Sequence, residues 1–290
     1  MVIGDTVYLG GYSGDVYALS LEDGGVLWSF EADEPIIAGL AASETAVYVA
    51  SDDGRLYVLD PQTGRQVDVF DAGDSIWAAP LLADGVLYVA SVNGKLYALD
   101  AETLKPKWDA PFEAEQGLIS DPVLAEGSVL VGGLDHALHA VDAETGEERW
   151  SFEADSWFWG RPLVAEGTVY APNLDGRLYA LSLETGEERW SFEAEEPDPL
   201  RSAPVLAGGS LVIVDRGGNV YGLDPGEEPE DERLRWSEAL EKKVLSNPLV
   251  VTEEGDEGED VEKVLISAQK GDHLFSVNPA TGRSSEVETP

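Results

Sequence analysis

One short pattern, repeated seven times, constrains this chain more than any other feature. Gly14-Asp15-Val16-Tyr17-Ala18-Leu19-Ser20 recurs at Gly54 to Asp60 and Gly94 to Asp100, then at His136 to Asp142, Gly176 to Ser182, Gly218 to Asp224 and Asp272 to Asn278. The successive offsets are 40, 40, 42, 40, 42 and 54 residues. A period near 40 built from short strands is the spacing of propeller blades rather than of helical repeats. Each unit reads as four strands. In the third they are residues 76–83, Val86 to Ser91, Leu96 to Asp100 and an outer strand around Trp108, with aromatic or β-branched residues alternating with small or polar ones. Asp53-Gly54, Asn93-Gly94 and Asp175-Gly176 close the hairpin between second and third strands, because such pairs tolerate positive φ. Glu144-Thr145-Gly146 and Glu184-Thr185-Gly186 turn the third strand into the fourth.

The expectation is an all-β chain, a single domain over residues 1–290, folded as a seven-bladed β-propeller of four-stranded antiparallel blades. The blades fall near 1–32, 33–72, 73–112, 113–154, 155–194, 195–238 and 239–290. The first unit starts at its second strand, Thr6-Val7-Tyr8-Leu9, so the first blade is expected to lack its innermost strand. Either it has three strands or residues upstream of Met1 complete it. Two acidic runs, Pro225 to Glu232 and Glu253 to Asp260, read as solvated hairpin decorations.

Charge and cysteine content close off several function classes. Against 57 Asp plus Glu stand 18 Lys plus Arg, a net charge of -39. Repulsion then replaces the counterion release that drives binding to nucleic acid, and anionic membranes are disfavoured likewise. With no cysteine, disulfides, thiolate metal sites and cysteine nucleophiles are impossible. With 43% hydrophobic residues there is material for a core, so the acid belongs on the surface of a folded domain. Such a surface repels itself unless salt screens it, which points to a halophilic source. No stretch reaches the ~18 apolar residues of a membrane helix. Residues Met1 to Asp5 do not resemble a signal peptide. The expected location is nonetheless extracytoplasmic or at the cell surface, with signal or anchor outside the given chain. The alternative is the cytoplasm of a salt-accumulating halophile.

Units such as Gly176-Arg177-Leu178-Tyr179-Ala180-Leu181-Ser182-Leu183-Glu184-Thr185-Gly186-Glu187-Glu188-Arg189-Trp190 resemble the PQQ-like β-propeller repeat, shared by quinoprotein dehydrogenases and BamB-like assembly lipoproteins. The resemblance spans essentially the whole chain. It implies that Trp28, Trp108, Trp150, Trp190 and Trp236, at corresponding places in five units, dock neighbouring blades. It leaves function open, because the family holds both enzymes and scaffolds.

Positions that repeat make the fold, so a site is sought where the repeat breaks. Aligned on Pro80, Pro122, Pro162, Pro204 and Pro248, the residues three places earlier are Trp77, Ile119, Trp159, Arg201 and Leu245. One place earlier stand Ala79, Asp121, Arg161, Ala203 and Asn247. By strand periodicity the two positions share a face. Trp77, Trp157, Trp159, Arg161, Arg201 and Asn247 are the candidate partner-binding residues, at the mouth of the expected channel. Aromatic plates beside guanidinium groups suit an acidic peptide, a flat anionic ligand or a protein hot spot. The structural alternative is that the bulky residues fill the channel while Arg161 and Arg201 pair with carboxylates.

A metal site has little support. His136 and His139 are three apart on a strand and point to opposite faces, and the Asp residues of the turns match no EF-hand spacing. A PQQ- and calcium-dependent quinoprotein dehydrogenase is one alternative function; members of that class are about twice as long. They often carry an adjacent cysteine pair over the cofactor, which this chain cannot supply. No Glu/Asn/Asp set resembles their calcium site. No cofactor is therefore expected. The favoured expectation is a monomeric, non-catalytic scaffold binding a protein or peptide. A carbohydrate- or polymer-binding cell-surface protein is the other alternative.

Overall fold

The structure is a computed structural model that describes residues 1–226, 232–254, 260–269 and 273–287. Most of both acidic runs, residues 227–231 and 255–259, lies outside them. The described residues contain no α-helix and form seven antiparallel four-stranded sheets, each in sequence order. They are β1–β4 (Val2–Ile3, Thr6–Gly10, Asp15–Ser20, Val26–Glu31), β5–β8 (Leu40–Ala42, Val47–Ala50, Arg55–Leu59, Gln66–Asp71) and β9–β12 (Leu81–Ala83, Val86–Ala90, Lys95–Asp100, Phe112–Glu113). There follow β13–β16 (Val123–Ala125, Ser128–Gly132, Ala137–Asp142, Glu148–Glu153) and β17–β20 (Leu163–Ala165, Thr168–Pro172, Arg177–Ser182, Glu188–Glu193). The last two are β21–β24 (Val205–Ala207, Ser210–Val214, Asn219–Leu223, Leu234–Ala239) and β25–β28 (Leu249–Glu254, Asp260–Ser267, Leu274–Val277, Ser284–Val287).

The chain forms two compact units, Met1–Ser151 and Phe152–Pro290. In the first, consecutive sheets pack face to face through apolar clusters. Tyr8, Val16, Ala18 and Trp28 of the first sheet meet Val47, Val49, Tyr57 and Leu59 of the second. Sheets two and three share the cluster of Leu56, Val58, Leu87 and Val89, and sheets three and four that of Tyr88, Leu96, Val129 and Val141. The second unit repeats the scheme, with Tyr170, Leu178, Leu211 and Ile213 between sheets five and six and Val212, Val220, Val264 and Ile266 between six and seven.

Tryptophan locks these stacks as the repeat implied. Trp28 Nε1 donates to Pro61 O at 2.8 Å, Trp108 Nε1 to Ala143 O at 3.1 Å and Trp236 Nε1 to Pro279 O at 2.9 Å, each in the following sheet. Burying one such ring removes roughly 150–250 Å² from water, at most about 4–6 kcal/mol of transfer free energy. Trp190 is covered by the Arg233 guanidinium, 3.8 Å from its ring centroid, and Trp150 is buried.

Three strand expectations need correction. The first sheet does have an innermost strand: Val2 pairs with Val7 and Ile3 with Thr6 across a turn at Gly4, φ +55. Two residues were too few for an alternating pattern to register. In the third sheet the innermost strand is only Leu81–Ala83, because Pro80 has no N–H for the ladder and the residues before it bond elsewhere. The fourth strand there is Phe112–Glu113 rather than a strand around Trp108. Pro106 and Pro111 break the ladder on either side of the tryptophan, which keeps its docking contact all the same.

Candidate functional site

The candidate residues lie on the segments that cross from the fourth strand of one sheet to the first of the next. Each crossing buries an apolar anchor: Ile36, Ile76 and Leu118 in the first unit, Phe158, Leu200 and Val244 in the second, all at most 2% exposed. That anchor fixes the direction of its neighbours in the chain. Backbone bonds then tie each crossing to a hairpin tip. In the first unit Asp52 N–H donates to Pro35 O, Val92 N–H to Ser75 O and Leu134 N–H to Gly117 O. In the second Leu174 N–H donates to Trp157 O at 3.0 Å, Arg216 N–H to Pro199 O at 3.0 Å and Gln269 N–H to Lys243 O at 2.7 Å. Buried polar side chains add to the fastening, with Ser91 Oγ donating to Asp74 O and Asn173 Nδ2 to Ser156 O.

On this frame Trp157 and Trp159 flank the buried Phe158. Trp157 is 40% exposed, an unusual state for an indole, while Trp159 is half-buried. Arg201, one sheet on, places its guanidinium carbon 4.0 Å from the centroid of the Trp159 ring, a cation–π contact. Arg161 is exposed and makes no ion pair among the described residues, so the carboxylate pairing of the structural alternative is not found there. Gly160 lets these elements approach, since a Cβ there would stand 2.6 Å from Pro172 Cγ and 3.0 Å from Arg201 O. The structure thus brings Trp157, Trp159, Arg161 and Arg201 onto two adjacent crossings of the second unit.

Asn247, on the next crossing, uses its Oδ1 to accept the Ala203 N–H at 2.8 Å. Asp121 does the same for Ala79 N–H in the first unit, at 2.7 Å. The position before the repeated proline is therefore a staple between neighbouring crossings when it holds a short oxygen acceptor. Arginine, which has no acceptor, cannot perform that role at 161. Trp77 belongs to the first unit, where its Nε1 donates to Asp52 Oδ1 at 2.6 Å. A tryptophan in the next repeat is the sequence signal that pairs with Asp52.

The two histidines do not share a strand as expected: His136 is exposed in the turn before β15, at φ +67, and His139 is buried on β15. The His139 ring nitrogens meet Asp135 Oδ2 at 3.0 Å and Glu148 Oε1 at 2.7 Å. Burial opposes its charged form, but these hydrogen bonds prevail and raise its pKa above the ordinary histidine value. In sheets one, two, three, five and six a tyrosine fills this place, and in the seventh Phe275 does. Tyr57 donates to Asp53 at 2.5 Å and Tyr179 to Asp175 at 2.7 Å, while burial and then Asp215 push Tyr221 up to about 12. Among the described residues no three His, Asp or Glu side chains gather as a metal cluster.

Comparison with known proteins agrees with this geometry. A family model described as outer membrane protein assembly factor BamB matches residues 12–121 and 108–283. Among solved structures, BamB from Moraxella catarrhalis superposes with a TM-score of 0.78 at 20% identity, covering 99% of this chain and 84% of that one. The computationally designed Ika8 protein gives a TM-score of 0.75 at 16% identity, over 99% of this chain and 82% of that one. No curated protein sequence matches the chain. At these identities the likeness establishes the fold, a seven-bladed β-propeller of PQQ-like repeats.

Proposed function

This chain belongs to the family described as outer membrane protein assembly factor BamB, and from that premise we propose that it is a non-catalytic scaffold that binds a protein or peptide partner. The contact surface is the pair of crossings that carry Trp157, Trp159, Arg161 and Arg201. The observation that carries this reading is an exposed indole beside an exposed arginine that has no ion pair among the described residues, in a chain with 57 carboxylates. Solvent-facing tryptophan costs solubility and unpaired arginine is scarce in such a chain. Tryptophan and arginine are also the residue types most enriched in interface hot spots. The rigid anchors beneath them, Phe158 and the Leu174 N–H bond, support preorganisation, which spares the ordering cost of association.

Acidic or carbonyl-rich segments are the partner chemistry that fits, since the guanidinium of Arg161 offers a planar donor fork. The family's description as an outer-membrane assembly factor supports a place outside the cytoplasm, and we read the protein as a monomer there. Affinity capture in about 1 M salt, where the Debye length is ~3 Å, tests the site. A partner retained by the wild-type chain should be lost, by tenfold or more, from a Trp157→Ala/Arg161→Ala variant whose melting temperature is unchanged. Identical retention by both would remove this surface from consideration.

A further inference from the structure

A cleft of about 710 Å³ opens between the fifth and sixth sheets, lined among others by Tyr170, Arg189, Trp190, Leu206, Ala207 and Arg235. None of its lining residues belongs to the crossings described above, and its size is that of a small-molecule site. Its chemistry emerges from comparing three arginines at one repeat position. In β16, Arg149 donates to Asp142 from Nε at 3.0 Å and Nη2 at 2.6 Å, and from Nη1 to Ser128 Oγ at 2.7 Å. In β24, Arg235 pairs with Asp224 and donates to Ser210 Oγ at 3.2 Å. In β20, Arg189 keeps the hydroxyl contact, to Thr168 Oγ1 at 2.6 Å. The residue in the carboxylate's place, however, is Ser182, and Arg189 makes no ion pair among the described residues. Among the described residues one half of a repeated ion pair is missing, and Arg189, the other half, lines a cleft.

The surroundings narrow what can fill the gap. Trp190, Leu206 and Ala207 supply apolar wall, and the Tyr170 hydroxyl is engaged with Pro225 O at 2.9 Å. Two of the three carboxylates at the cleft are also engaged, Asp224 with Arg235 and Glu262 with the Gly208 N–H at 2.6 Å. Glu166 stands in an exposed turn at the edge. We propose that this cleft binds a small organic monocarboxylate with a flat or aliphatic body. Its carboxylate takes the donor fork of Arg189, as Asp142 does that of Arg149, and its body lies against Trp190 and Leu206. Charge-assisted fork contacts of this kind are the strong polar contacts of such sites, and they distinguish an acid from its amide.

Calorimetric titration of the whole chain with benzoate, hexanoate and neutral benzamide, in about 1 M salt to screen the net charge, tests this directly. At least one of the two acids should saturate at millimolar concentration, with benzamide tenfold or more weaker. Ser182→Asp rebuilds the internal ion pair on the pattern of Asp142 and should weaken the acid tenfold or more without lowering the melting temperature. Arg189→Gln should weaken it equally. The proposal is overturned if neither acid saturates by about 10 mM, if benzamide matches them, or if Ser182→Asp and Arg189→Gln bind the acid like the wild type.

Discussion

Gly64 sits at φ +67 where a Cβ would stand 2.5 Å from the Trp28 ring, and Gly146 and Gly282 repeat the arrangement under Trp108 and Trp236. The exception explains the rule. Asp68 holds the tryptophan position in the second sheet, and Leu104, at φ +52, holds the glycine position in the third and packs on the core. Under an indole the position is glycine, and in the third sheet, where none arrives, it tolerates leucine. Gly64→Ala should therefore cost about 2–3 kcal/mol, combining a left-handed backbone penalty with a clash against a buried ring. Gly24→Ala serves as the control: its φ is +70 but its Cβ would meet nothing within 4 Å, so it should cost about 1 kcal/mol. Urea unfolding of both variants measures the difference, and equal losses would mean that the ring contact does not matter. The docking role of the tryptophans was legible because they recur in register. Their glycine partners were not, because each lies one repeat further along and comes near only when sheets stack.

At the scale of strands and turns, alternation correctly located the second and third strands of the third sheet but lengthened its first. Residues Ile76 to Pro80 alternate like a strand, yet the Ile76 N–H bonds to Ser51 O and Pro80 has none to give, so the ladder begins only at Leu81. A period of two reports extended backbone, not where its hydrogen bonds go. The same lesson covers the candidate site: residues 157–161 were read as a strand face and are instead a crossing aimed by Phe158. In the fourth sheet one substitution couples strands to pH. His139 on β15 bridges the hairpin tip at Asp135 and β16 at Glu148, where five of the other sheets use a tyrosine. Because its folded pKa is raised above the unfolded value, its stabilisation is complete below the ordinary histidine value and is lost as pH rises through the folded one. Between about pH 6 and pH 9 the wild type should lose stability relative to His139→Tyr, whose hydroxyl stays protonated. Urea midpoints across that range check it, and a constant gap would contradict the raised pKa.

For the whole molecule, seven in-phase repeats made the propeller legible in the sequence, since a period near 40 built from short strands is propeller spacing. What the repeats could not convey is function, because a fold of this kind hosts several. The net charge of -39 sets the conditions under which the molecule holds together. Shortening the Debye length from about 10 Å at 0.1 M to ~3 Å at 1 M salt relieves self-repulsion, so the melting temperature should climb steeply over that interval. A salt-independent melting curve would show that the acid is already neutralised locally. Against this charge, Trp157 and Arg161 are exposed groups that an acidic composition does not account for. The most direct measurement of their role places a photoreactive phenylalanine at position 157 and, as control, at Val67, an apolar position more exposed still, at 62% against 40%. Irradiated with its source extract in molar salt, the chain labelled at 157 should yield a discrete covalent adduct with a partner polypeptide and the chain labelled at 67 none. Equal adducts from both positions, or none from 157, would contradict a scaffold that works through these crossings.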